Sequence, residues 1–87
     1  MRTKKVIVRT KNGLHMRVVN RIVDASGKSR SKITFRRDTA EANARSFMDL
    51  LMLAAPEGAE IEIIVEGSDE EKTLLELERM LIDGAGI

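Results

Sequence analysis

Between Glu60 and Glu66 the chain reads Glu-Ile-Glu-Ile-Ile-Val-Glu, a β-branched run with polar ends that gives the strongest strand signal in the sequence. Lys32-Ile33-Thr34-Phe35-Arg36 alternates polar and apolar and predicts a half-buried strand. Lys4-Lys5-Val6-Ile7-Val8-Arg9 predicts another, with Val6 and Val8 on one face. A turn at Arg37-Asp38-Thr39 leads into a weaker stretch, Ala40 to Ala44, whose small residues suggest a short edge strand.

Elsewhere the period becomes helical. Val18, Val19, Ile22, Val23 and Ala25 fall near i, i+3, i+4 spacing and predict a helix from Met16 to Ser26, with Gly27 as its C-cap. Ser46 can N-cap a short apolar helix from Phe47 to about Leu53, followed by a Pro56-Glu57-Gly58 loop. Ser68-Asp69-Glu70-Glu71 reads as a capping box with acid in the first turn. It opens a final helix striped by Leu74, Leu77 and Leu81, with Leu75, Met80 and Ile82 beside them and Gly84 as its stop. The order β-α-β-β-α-β-α, with helices on one face of a small sheet, is an α+β open-faced β-sandwich. Periodicity says nothing about strand order.

No Pro/Gly/Ser linker or internal repeat divides the 87 residues, so residues 1–87 read as a single domain. With 43% hydrophobic and 33% charged residues, disorder is excluded. There is no cysteine and one histidine, which excludes disulfides, thiolate metal sites and multi-histidine metal sites; no metal and no cofactor is expected. Phe35 and Phe47 are the only aromatics, so Val, Ile, Leu, Met and Ala must build the core. No apolar run approaches the ~20 residues that span a bilayer. The first residues also lack the apolar centre of a signal peptide. We therefore read the chain as soluble and cytoplasmic, without direct membrane insertion.

The formal net charge of +1 hides a division. Residues 1–37 hold twelve Lys/Arg and one acidic residue, Asp24, whereas residues 38–87 hold three Lys/Arg and thirteen Asp/Glu. A basic half can serve a phosphate or nucleic-acid partner, or the halves can fold against each other and pair their charges. The lack of stacking aromatics weighs against nucleic acid.

Candidate chemistry sits in Asn12-Gly13-Leu14-His15-Met16-Arg17. There His15 lies between a turn and a helix start, where free N–H groups face any anion. A neutral imidazole is nucleophilic toward phosphorus near pH 7, Arg17 offers a planar fork, and Arg21 adds field one turn on. On these cues alone a solvated surface histidine is the favoured reading. A hydrolase triad does not: no Asp or Glu lies near His15 in sequence, and there is no cysteine nucleophile.

The Asn12–Arg17 segment, Arg45-Ser46-Phe47-Met48-Asp49-Leu50-Leu51, Gly58-Ala59-Glu60 and Gly67-Ser68-Asp69-Glu70 together resemble the HPr family. These are the histidine-containing phosphocarriers of the bacterial phosphoenolpyruvate:sugar phosphotransferase system. The resemblance covers essentially the whole chain. It implies a four-stranded antiparallel sheet of order 1-4-2-3 with three helices on one face. It also implies that His15 accepts a phosphoryl group on Nδ1 from phospho-enzyme I and passes it to sugar-specific IIA proteins, with Arg17 steadying the transferring group. Ser46 matches a serine phosphorylated in many relatives by the HPr kinase/phosphorylase. Phe47, Met48 and Leu51, with Arg21, match a partner-docking patch, Met48 being the residue expected to be most exposed. A monomer is the family default, and the protein is a carrier in a relay rather than a stand-alone enzyme.

In that sheet order the acidic fourth strand (Glu60, Glu62, Glu66) lies between two basic ones, which favours internal pairing of the charges. One residue departs from the pattern. The family usually reads His-x-Arg-Pro, and here Val18 stands fourth, restoring a donor amide and loosening the first turn. Retention of His15 and Arg17 favours a phosphocarrier. Val18 leans toward the alternative, a regulatory adaptor that binds a transcriptional regulator through phosphorylated Ser46.

Overall fold

The computed structural model describes residues 1–84. The elements are β1 (Arg2–Ile7), α1 (Met16–Lys28), β2 (Lys32–Arg37), β3 (Ala40–Asn43), α2 (Phe47–Met52), β4 (Glu60–Glu66) and α3 (Glu70–Asp83). The strands form one antiparallel sheet in the order β1-β4-β2-β3. Val6, Ile33, Phe35, Ala42, Ile61, Ile63 and Val65 of the sheet bury into one core with Val18, Val19 and Ile22 of α1, Leu50 of α2, and Leu77 and Leu81 of α3. The three helices thus cover a single face, and each fully buried aliphatic side chain contributes about 1.5–3 kcal/mol relative to exposure.

The other face carries a row of alternating charge. Lys5 is opposite Glu62, Glu62 opposite Arg36, and Arg36 opposite Glu41, so one line crosses all four strands. Arg36 closes it with bonds of 3.1 Å to Glu62 and 2.7 Å to Glu41, and these raise its pKa, Glu41 most. A second set of pairs lies between β1 and α3: Lys4 meets Glu78 at 2.7 Å, and Arg2 meets Glu70 and Glu71. The basic and acidic halves therefore pair across both the sheet and the sheet–helix seam.

Three boundaries differ from the pattern-based expectation. β1 begins at Arg2 and ends at Ile7, while Val8 stays fully buried just beyond it. Gly27 lies within α1, which continues to Lys28 and ends at an extended Ser29. The N-cap of α3 is Asp69 rather than Ser68, and its side chain makes no capping bond. The last two share a cause. Asp69 instead accepts hydrogen bonds from Ser29 Oγ at 3.0 Å, the Arg30 amide at 3.1 Å and Ser31 Oγ at 2.5 Å. This clamp fixes where α1 ends, and the Glu70 carboxylate takes over the Gly67 amide at 3.2 Å.

Candidate functional site

The loop between β1 and α1 is held from three sides. The Arg9 amide donates to Leu81 O at 2.8 Å, tying the loop to the end of α3. A turn follows in which the Gly13 amide donates to Thr10 O at 2.9 Å and Thr10 Oγ1 donates to Gly13 O at 3.0 Å. Asn12 and Gly13 have φ of 70° and 67°. Asn tolerates the left-handed region. At position 13 glycine is required for a second reason: a Cβ there would overlap the Ala55 carbonyl oxygen and lie 2.7 Å from Pro56 Cα. The next amide, of Leu14, donates to that same Ala55 O at 2.9 Å.

His15 leaves this turn as the N-cap of α1, with φ −83° and ψ 172°. The Arg17 amide donates to its Nδ1 at 3.2 Å, and the Val19 amide to its carbonyl at 3.0 Å. An atom that accepts an N–H bears a lone pair, so the neutral imidazole carries its proton on Nε2. The imidazole is half-buried, whereas the Arg17 and Arg21 side chains are exposed. Val18 is 1% exposed, so the first turn is anchored by side-chain packing.

A depression beside His15 is lined by Arg9, Lys11, Asn12 and Arg17 on one side and by Ile82, Asp83 and Gly84 at the end of α3 on the other. None of the ion pairs between described residues involves Arg9, Lys11, Arg17 or Arg21, unlike Arg2, Lys4, Lys28 and Arg36. The arrangement offers a nucleophilic lone pair, helix-start amides and cations without an ion-pair partner among the described residues, the parts needed to receive a phosphoryl group. Arg9 and Lys11 were not candidates from sequence. Both lie in the β1–α1 loop shortly before His15, and the Arg9 amide ties that loop to α3.

Ser46 caps α2 as its spacing predicts, with Oγ accepting from the Asp49 amide at 3.2 Å. Asp49 Oδ2 accepts from the Asn43 amide at 3.2 Å, which binds the start of α2 to β3. At the other end Ala54 has φ 52°, and Arg37 Nη1 donates to Leu53 O at 3.0 Å and Ala54 O at 3.3 Å. Leu50 is the fully buried residue of α2, Phe47 and Leu51 are half-buried, and Met48 and Met52 are 62% and 78% exposed. The apolar patch is therefore present, with Met52 more exposed than Met48. Neither α2 nor Arg21 lines the depression beside His15, so the candidate residues form two neighbouring groups on the packed helices α1 and α2.

Among the described residues no cluster of three His, Asp or Glu suited to a metal ion is present, and no helix is long and apolar enough to cross a membrane. Comparison with known proteins gives a consistent picture. A family model described as the PTS HPr component phosphorylation site matches residues 2–83. The phosphocarrier protein HPr of Treponema pallidum is 41% identical over 80 residues, 92% of this chain and 91% of that protein. The HPr-like protein Crh of Bacillus subtilis is 35% identical over 74 residues, 85% and 87% of the two chains. A crystal structure of HPr from Thermoanaerobacter tengcongensis superposes with a TM-score of 0.93 at 28% identity, covering 100% of this chain and 98% of that one. With its sheet order, its histidine at the start of α1 and these relatives, the chain belongs to the HPr family of phosphotransferase-system phosphocarriers.

Proposed function

We propose that this protein relays a phosphoryl group from phospho-enzyme I through His15 to sugar-specific IIA proteins, acting as a monomeric one-domain carrier over residues 1–87. The observation that carries this reading is the Arg17 amide at 3.2 Å from His15 Nδ1. It supports a lone pair on a nitrogen at the start of a 13-residue helix. In the transfer, the Nδ1 lone pair attacks phosphorus, an N–P bond forms, and the bond to the donor breaks with its electron pair leaving on the donor. The proton on Nε2 stays in place. The Arg17 amide, displaced from Nδ1, turns to a phosphoryl oxygen, and the Arg17 guanidinium neutralises the charge. Arg21 and the Phe47, Met48 and Leu51 face of α2 receive the partner proteins, and Ser46 regulates them when phosphorylated by an HPr kinase/phosphorylase. The test is incubation with phosphoenolpyruvate and enzyme I of the same organism. An acid-labile phosphate is expected on the wild type and none on His15→Ala; labelling of His15→Ala overturns the assignment.

A second reading has specific support. The relative Crh and the Ser46 N-cap fit a regulatory adaptor that binds a transcriptional regulator through phosphorylated Ser46. Rapid turnover of phosphate through His15 decides for the carrier; a chain that takes phosphate only on Ser46 decides for the adaptor.

A further inference from the structure

A chain of contacts runs from the β2–β3 hairpin to the imidazole. Arg37, the last residue of β2, donates from Nη1 to the carbonyls of Leu53 and Ala54 at 3.0 and 3.3 Å. Those carbonyls belong to the turn that ends α2, where Ala54 takes φ 52°. Alanine adopts that conformation at a steric cost, which neighbouring contacts must offset. The next residue, Ala55, is 4% exposed, and its carbonyl accepts the Leu14 amide at 2.9 Å. Gly13 is pressed against Ala55 and Pro56 so closely that no side chain fits. Leu14 immediately precedes His15. The platform under the His15 loop is thus the strained turn that Arg37 grips, and Arg37 itself is not among the residues lining the depression.

We infer that Arg37 is a positioning residue for His15: by holding the Leu53–Ala54 turn it sets the place of the Ala55 carbonyl, and through Leu14 the direction of the imidazole lone pair. The inference rests on His15 being the phosphoryl acceptor. A displaced nucleophile slows transfer without any loss of the reacting groups.

The experiment compares Arg37→Ala, Arg37→Lys and the double variant Arg37→Ala/Ala54→Gly in the full chain. It measures single-turnover acceptance from phospho-enzyme I at saturating donor, together with hydrogen exchange of the Leu14 amide. Arg37→Ala is expected to slow acceptance about fivefold and to speed Leu14 exchange by about tenfold. Arg37→Lys, which keeps a charged donor at this position, is expected to restore most of both. The double variant restores both without restoring the charge, because glycine takes positive φ unaided. Unchanged Leu14 exchange in Arg37→Ala overturns the inference. So does a double variant that protects Leu14 yet stays slow, since Arg37 would then act through its charge on the partner. His15→Ala run alongside separates the two readings: labelling of that variant removes the acceptor assignment, whereas Leu14 exchange reports on Arg37 alone.

Discussion

The main-chain amide of Arg17, not its guanidinium, holds His15 Nδ1, at 3.2 Å. Capping and phosphate chemistry at this residue are therefore separable. Arg17→Lys keeps the amide and the positive charge but loses the planar fork. It is expected to leave the melting temperature unchanged and to lower phosphoryl transfer at least about tenfold, equivalent to about 1.4 kcal/mol in the barrier. Stopped transfer assays with paired thermal melts check both halves.

Gly13 is the tightest point of the loop, and Gly13→Ala combines a positive φ with overlap on the Ala55 carbonyl. The substitution is expected to destabilise the fold by about 2–4 kcal/mol, from left-handed strain and overpacking together. Denaturant titration measures this. A loss below about 0.5 kcal/mol, the size of a neutral surface change, would show that the loop does not rest on Ala55.

Ser46→Asp and Ser46→Ala distinguish cap from switch. Aspartate can still accept the Asp49 amide and adds charge beside Phe47 and Met48, so stability is expected to hold while acceptance from enzyme I slows. Alanine loses the capping bond that Oγ makes to Asp49, at a cost of about 1 kcal/mol, with transfer nearly normal. Equal transfer by both variants would leave Ser46 a structural cap.

Ser26 is fully buried in α1, and its hydroxyl has no hydrogen-bond partner among the described residues. Ser26→Ala removes an unmet polar group and improves helix propensity, so a gain of about 1 kcal/mol is expected. In a domain of this size that is a rise of roughly 4–8 °C in melting temperature. Calorimetry provides the measurement.

Asp69 carries a pH signature. The hydrogen bond from Ser31, then that from the Arg30 amide, hold its pKa down at about 2 against an ordinary 3.8. The folded state binds this proton less readily than the unfolded state. The carboxylate's contribution is therefore complete above the ordinary value and disappears as pH falls through about 2. Between about pH 4 and pH 2 the wild type is expected to lose melting temperature more steeply than Asp69→Asn. Parallel slopes would mean that the clamp on residues 29–31 adds no stability.

The elements visible in sequence were those whose signals are local. Glu60–Glu66 and the Ser46 cap depend on residues within one turn or one strand, and both stand where the pattern puts them. The end of α1 was not visible, because Gly27 looks like a stop while the real one is the bond from Ser29 to Asp69, 40 residues away. Leu50 was hidden among four apolar neighbours in α2, since in so short a helix only packing decides which face turns inward. His15 and Arg17 were legible because the turn, cap and fork are contiguous. Arg9 and Lys11 lie in the same loop but carry no motif of their own, and Arg37 reaches the loop's support only through its tertiary bonds to Leu53 and Ala54.

α2 has six residues, at most half of the roughly 12–15 that an isolated helix needs to persist in water. Its start is bound to Asn43 and its end to Arg37, both in the β2–β3 hairpin. The Met48 and Met52 surface is consequently a property of the assembled domain and not of the segment that spells it. A synthetic peptide covering residues 45–54 would be a coil, and it would make a poor competitor for the partners that the intact protein engages.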